Sequence, residues 1–139
     1  MGKEILTFSQ ERLLKELSFQ DFIKDFYLTG GTALAAFYLN HRYSEDLDFF
    51  TEKEDVDTEA LTVLLKSFKD KLNIKEIDFQ KSLNRNLFFI KTGKEIIKTE
   101  FTYFPFRKLQ KGLMENNLEI DSIEDIAVNK LFTIYQKPQ

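Results

Sequence analysis

The segment from Gly30 to Asp48 constrains this chain more than any other. It reads Gly-Gly-Thr-Ala-Leu-Ala-Ala-Phe-Tyr-Leu-Asn-His-Arg-Tyr-Ser-Glu-Asp-Leu-Asp. A glycine pair with a hydroxyl opens an apolar stretch of helical character. A polar loop follows, and two aspartates one residue apart then begin a second apolar run. A run as apolar as Thr32 to Asn40 is a helix only if it packs against something, most often a sheet. Carboxylates at i and i+2 on a strand point to one face. The segment therefore demands a strand, a helix and a second strand in close succession.

The flanking sequence extends this pattern. Ser9 is the expected N-cap of a first helix through Asp25, with Leu13, Leu14, Leu17, Phe22 and Phe26 at roughly helical spacing. Phe26 to Thr29 is a short strand stopped by Gly30. Asp46 to Thr51 is a second strand, and Thr58 to Leu72 a helix with Leu61, Leu64, Leu65 and Phe68 on one face. Ile74–Lys81, Asn86–Thr92 and Glu95–Phe104 read as strands, with a hairpin turn at Thr92-Gly93-Lys94 and Pro105 as a stop. Arg107 to Asn117 reads as a polar connection without assigned structure. Ser122 caps a last helix through about Tyr135, with Glu124 and Asp125 in its first turn. The order predicts an α+β domain, a small mixed β-sheet flanked by helices.

Bulk properties exclude several classes. A chain of 139 residues with 42% hydrophobic and 31% charged residues is expected to form one domain, 1–139, around a single core. Its net charge of −3 argues against a protein that coats nucleic acid. Having no cysteine, it forms no disulfide or thiolate metal site, and its single histidine makes a histidine-rich zinc site an unlikely design. No apolar run approaches a membrane span. Met1-Gly2-Lys3-Glu4 begins no signal peptide, and Leu6 breaks the myristoylation pattern. Cytoplasm is the expected location.

The candidate site follows from residue chemistry. Glycines before a helix suit a phosphate, because free backbone N–H groups and the helix dipole both favour an anion. Gly30, Gly31 and Thr32 are the candidates, although Thr32 also suits a simple cap. Asp46 and Asp48 suit hard divalent cations such as Mg2+, which take oxygen ligands and substrate phosphates. Two ions about 3.5–4 Å apart can hold both oxygens of an in-line displacement. A third carboxylate on an adjacent strand would complete such a site, and Glu100 is the candidate; the alternative is a solvated edge. Lys98, Glu100 and Thr102 would share its face. Arg42 and Ser44 are further phosphate candidates. Lys130 could reach a triphosphate as a point charge or snorkel to the surface, and Asp125 could orient it. His41 is expected to be structural. Lys91, Lys94, Lys98, Arg107, Lys108 and Lys111 make the second half basic, as a solvated face or an RNA contact.

Gly-Gly-Thr-Ala-Leu followed by His-Arg-Tyr-Ser-Glu-Asp-Leu-Asp-Phe-Phe resembles the signature of the AbiEii/AbiGii-type nucleotidyltransferase toxins. These belong to the DNA polymerase β-like nucleotidyltransferase superfamily. Ile123-Glu-Asp-Ile-Ala-Val-Asn-Lys130 is similar to the family's later lysine-bearing helix. The resemblance implies transfer of a nucleoside monophosphate from an NTP, with a tRNA 3′ end as one acceptor and a separately encoded antitoxin as partner. It places phosphate at Gly30, Gly31 and Thr32, metals at Asp46, Asp48 and Glu100, and the triphosphate at Lys130. Family members continue after that helix with an Arg-Asp, a further Asp and more helices. The sequence given ends at Gln136-Lys-Pro-Gln139, so the expected domain lacks that C-terminal helical segment. Two readings stay open: an active Mg-dependent transferase, or a shortened module that binds nucleotide or a protein partner without turnover.

Overall fold

A computed structural model of the chain describes residues 6–33, 37–38 and 46–136, leaving aside the side chains of 130 and 132–136. Helix α1 spans Phe8–Ser18. Its N-cap is Thr7 rather than Ser9, because Thr-x-x-Gln forms a capping box. The Thr7 hydroxyl accepts from the Gln10 N–H at 3.1 Å, and Gln10 Oε1 accepts from the Thr7 N–H at 3.0 Å. The expected long first helix stops at Ser18 and resumes as a 3-10 turn, Asp21–Asp25. The Asn117 N–H donates to the Ser18 carbonyl at 2.9 Å, and the Asn117 amide donates to the Phe19 carbonyl at 3.3 Å. A distant loop thus satisfies the carbonyls that a continuing helix would have used.

Strand β1 is Tyr27–Thr29, and α2, Gly30–Ala33, starts directly at the first glycine. Then come β2 (Asp46–Thr51), α3 (Thr58–Ser67) and α4 (Lys69–Leu72). The predicted helix from Thr58 to Leu72 is therefore two helices, broken at Phe68. Leu61, Leu65, Phe68 and Leu72 are all buried, so the apolar period passes through the break unchanged. Asn73 ends α4 in the left-handed region at φ 55°. Strands β3 (Ile74–Ser82), β4 (Arg85–Thr92) and β5 (Ile96–Tyr103) follow as expected. The unassigned connection supplies β6 (Leu113–Glu115), which pairs with β7 (Leu118–Ile120) across a turn at Asn116-Asn117. Helix α5 is Ile123–Gln136.

The strands form one seven-stranded mixed sheet of order β3-β4-β5-β2-β1-β7-β6. β2 pairs parallel with β5, and β1 parallel with β7; the other neighbours are antiparallel. One face buries Leu47, Phe49, Ile97 and Phe101 against Leu13, Leu17, Leu61 and Leu65 of α1 and α3. Phe49 and Phe101, neighbours in register, stack with centroids 4.9 Å apart. The architecture is the mixed sheet flanked by helices that the sequence predicts.

Candidate active site

Alternation along β2 and β5 decides which residues leave the core. With Leu47, Phe49, Ile97, Thr99 and Phe101 wholly buried on one face, Asp46, Asp48, Lys98, Glu100 and Thr102 take the other. Asp46 stands opposite Lys98, and Asp48 opposite Glu100. On the other side of β2, Asp48 pairs with Thr29 of β1. Asp121, one residue past β7, donates its N–H to the Leu28 carbonyl at 2.8 Å and so lies beside Thr29. Glu100, Asp48, Thr29 and Asp121 form one transverse row across four adjacent strands.

The glycine turn closes over this row. Gly30 has φ +82°, and a Cβ there would collide with Asp48 Oδ2. The turn can approach the aspartate only because residue 30 has no side chain. Gly31 enters α2 partly exposed. The Thr32 hydroxyl donates to the Asp46 carbonyl, fastening α2 to β2. Thr32 is thus both buried and structurally engaged.

The carboxylates crowd one another. Burial, then Glu100 and Asp46, push Asp48 up to about 7, while Lys98 and Arg85 pull the other way. Two cations answer them. Lys98 Nζ lies 3.4 Å from Asp46 Oδ2, and Arg85 Nη2 lies 2.7 Å from Glu100 Oε1. The Thr102 hydroxyl donates to Glu100 Oε2 at 2.7 Å. Glu100 is buried on a central strand, not solvated at an edge. Among the described residues, no three acidic side chains stand close enough to ligate one ion together.

Asp121 extends the row. It is wholly buried, its Oδ2 accepts from Asn129 Nδ2 of α5 at 3.0 Å, and its Oδ1 has no hydrogen-bond partner. Burial pushes its carboxyl up to about 7, against the Thr29 hydroxyl and Lys108. Asn129 Nδ2 also reaches Thr29 Oγ1, at 3.4 Å. Asp125 has an anchoring role. Its carboxylate accepts from the Leu109 N–H at 2.7 Å, the Gln110 N–H at 3.0 Å and the Ser122 hydroxyl at 2.8 Å, so it anchors the connection before β6. Ser122 caps α5 as expected, accepting from the Asp125 N–H at 3.1 Å.

The structure thus brings together Gly30, Thr32, Asp46, Asp48 and Glu100. Arg42, Ser44, His41 and the Lys130 side chain lie outside the described residues. Two of the basic residues of the second half are engaged by acids: Lys98 turns to Asp46, while Lys108 pairs with Glu119 and covers the Tyr27 ring at 4.8 Å. Sequence reasoning missed Arg85, Asp121 and Asn129. Arg85 joins the site through the register of β4 on β5, for which the sequence carries no local signal.

Fold and site together have the form of a nucleotidyltransferase domain. The family described as "Nucleotidyl transferase AbiEii toxin, Type IV TA system" matches residues 12–139, and the chain belongs to that family. A solved Helicobacter pylori protein assigned as a nucleotidyltransferase is similar, with TM-score 0.57 and 24% identity, covering 91% of this chain and 59% of its own. JHP933 from Helicobacter pylori is similar with TM-score 0.56 and 26% identity, covering 90% of this chain and 58% of its own. The chain spans less than two thirds of the length of either. Among curated proteins, none matches the sequence significantly. Among the described residues, no helix is long and apolar enough to cross a membrane.

Proposed function

We propose that this protein transfers a nucleoside monophosphate from an NTP to an acceptor hydroxyl, releasing pyrophosphate and the hydroxyl proton, with an RNA end such as the tRNA 3′ terminus as acceptor. It would act in the cytoplasm as the toxin of a toxin–antitoxin or abortive-infection pair, held in check by a cognate antitoxin. One observation carries the reading: Asp48 and Glu100 lie side by side on parallel strands, directly beneath a glycine turn that only glycine can make.

The donor set suits Mg2+, which needs only one or two carboxylates on each ion beside the substrate phosphates. Glu100 and Asp46 both raise the proton affinity of Asp48, and carboxylate oxygens gathered on one face favour a hard divalent cation. Asp46, Asp48 and Glu100 would hold Mg2+, two ions together with the NTP, and the metal would neutralise phosphate charge during displacement at the α-phosphorus. The protein's own groups do the positioning. Backbone N–H groups at Gly30 and Gly31 would meet the phosphate. Thr32 keeps that turn in register with β2, and Arg42, Ser44 and Lys130 would add contacts to the triphosphate. Fixing both reactants against a rigid sheet removes the entropy cost of their encounter.

The test is label transfer. The protein is incubated with Mg2+, each α-labelled NTP in turn and total bacterial RNA, with Asp48→Ala in parallel. Label should appear on RNA with one preferred base and vanish with the variant. Transfer that survives Asp48→Ala refutes the proposal, as does binding of NTP without any labelled product.

A further inference from the structure

Glu100 is already engaged by a cation of the protein's own. Arg85 donates to one of its oxygens at 2.7 Å and Thr102 to the other at 2.7 Å. Arg85 comes from β4, two strands from Asp48, and 38% of its side chain is exposed against 12% for Glu100. Its guanidinium therefore bridges the buried carboxylate and the open side of the site. A metal ion that takes Glu100 as a ligand must compete with this ion pair. The guanidinium fork suits a phosphate as well as it suits a carboxylate. Once parted from Glu100, Arg85 would remain on the same face of the sheet, within the site.

We infer that Arg85 is an exchangeable counter-ion: it neutralises Glu100 until a divalent cation displaces it, and it then binds a substrate phosphate, of the nucleotide or of the acceptor strand. Metal loading and substrate binding are thereby coupled through one side chain. The inference rests on the nucleotidyl-transfer reading above. Lys98, paired with Asp46 at the longer distance of 3.4 Å, is the weaker counterpart.

The test separates metal from substrate. Mn2+ binding is measured by electron paramagnetic resonance without nucleotide for the wild type, Arg85→Gln and Arg85→Lys. Binding of a non-hydrolysable NTP analogue and of a short single-stranded RNA is then measured with Mg2+ present. Arg85→Gln should bind Mn2+ about threefold more tightly, since its competitor is gone. It should bind either the analogue or the RNA about tenfold more weakly, and whichever is affected identifies the source of the phosphate. Arg85→Lys, which keeps the charge and so preserves folding, should fall between on Mn2+ and still lose phosphate affinity. Unchanged or weaker Mn2+ binding in both variants overturns the inference and leaves Arg85 as a brace for Glu100. Tighter Mn2+ binding with no loss for analogue or RNA overturns the phosphate role. A wild type that binds neither Mn2+ nor the analogue sinks the nucleotidyl-transfer reading as well.

Discussion

Gly30 is where backbone conformation and carboxylate chemistry meet. A side chain there would face two obstacles, the left-handed φ of +82° and the Asp48 carboxylate. Gly30→Ala is expected to cost about 1–3 kcal/mol in urea unfolding and to push Asp48 out of the row. This residue and its partners were legible in the sequence, because Gly-Gly-Thr and Asp-x-Asp lie close together and each has a local physical meaning. Glu100 was half legible: its charge inside an apolar strand marked it, but only the pairing of β5 with β2 puts it beside Asp48. Arg85 and Asp121 were not legible, because an arginine after a turn and an aspartate before a helix cap are ordinary features of any surface. Register alone brings them to the site.

Among the elements, the segment from Pro105 to Asn117 departs most from the sequence reading. Its one strand, β6, and the β7 that pairs with it are three residues each, too short for periodicity to show, and the turn between them depends on Asn116 at φ 54°. Yet the segment is tied down at both ends. Asn117 caps α1, and Asp125 of α5 holds the backbone at Leu109 and Gln110. Asp125→Ala removes the acceptor for both N–H groups and for the Ser122 hydroxyl. It should cost about 2–3 kcal/mol, and hydrogen exchange should speed up at Leu109 and Gln110 well before it does in β2 or β5. Equal acceleration across the sheet would show that the anchor is not local. The break at Phe68 teaches a similar point: the apolar spacing is the same on both sides, so a pattern that senses burial is blind to the change of axis.

For the molecule as a whole, the acidic groups on the site face set a pH dependence. Asp48 and Asp121 are held up to about 7, whereas in the unfolded chain both titrate near ~3.9. Between these values the folded protein binds more protons, so their contribution to stability falls as pH rises from about 4 to about 7 and is level beyond. Asp121→Asn should therefore stabilise the cation-free protein by about 1–2 kcal/mol at pH 8 and by little at pH 4. Urea unfolding of both proteins at the two pH values checks the sign; a variant less stable at pH 8 than the wild type would contradict it. The parallel pairing of β2 with β5 has a consequence of another kind. Their partners in register, such as Asp48 and Glu100, are separated by the whole excursion through α3, α4, β3 and β4. During synthesis the ribosome releases β2 long before β5. The nascent chain thus carries half of the carboxylate pair until β5 emerges and takes its place beside β2, so the two acids meet only after the whole excursion between them has been made.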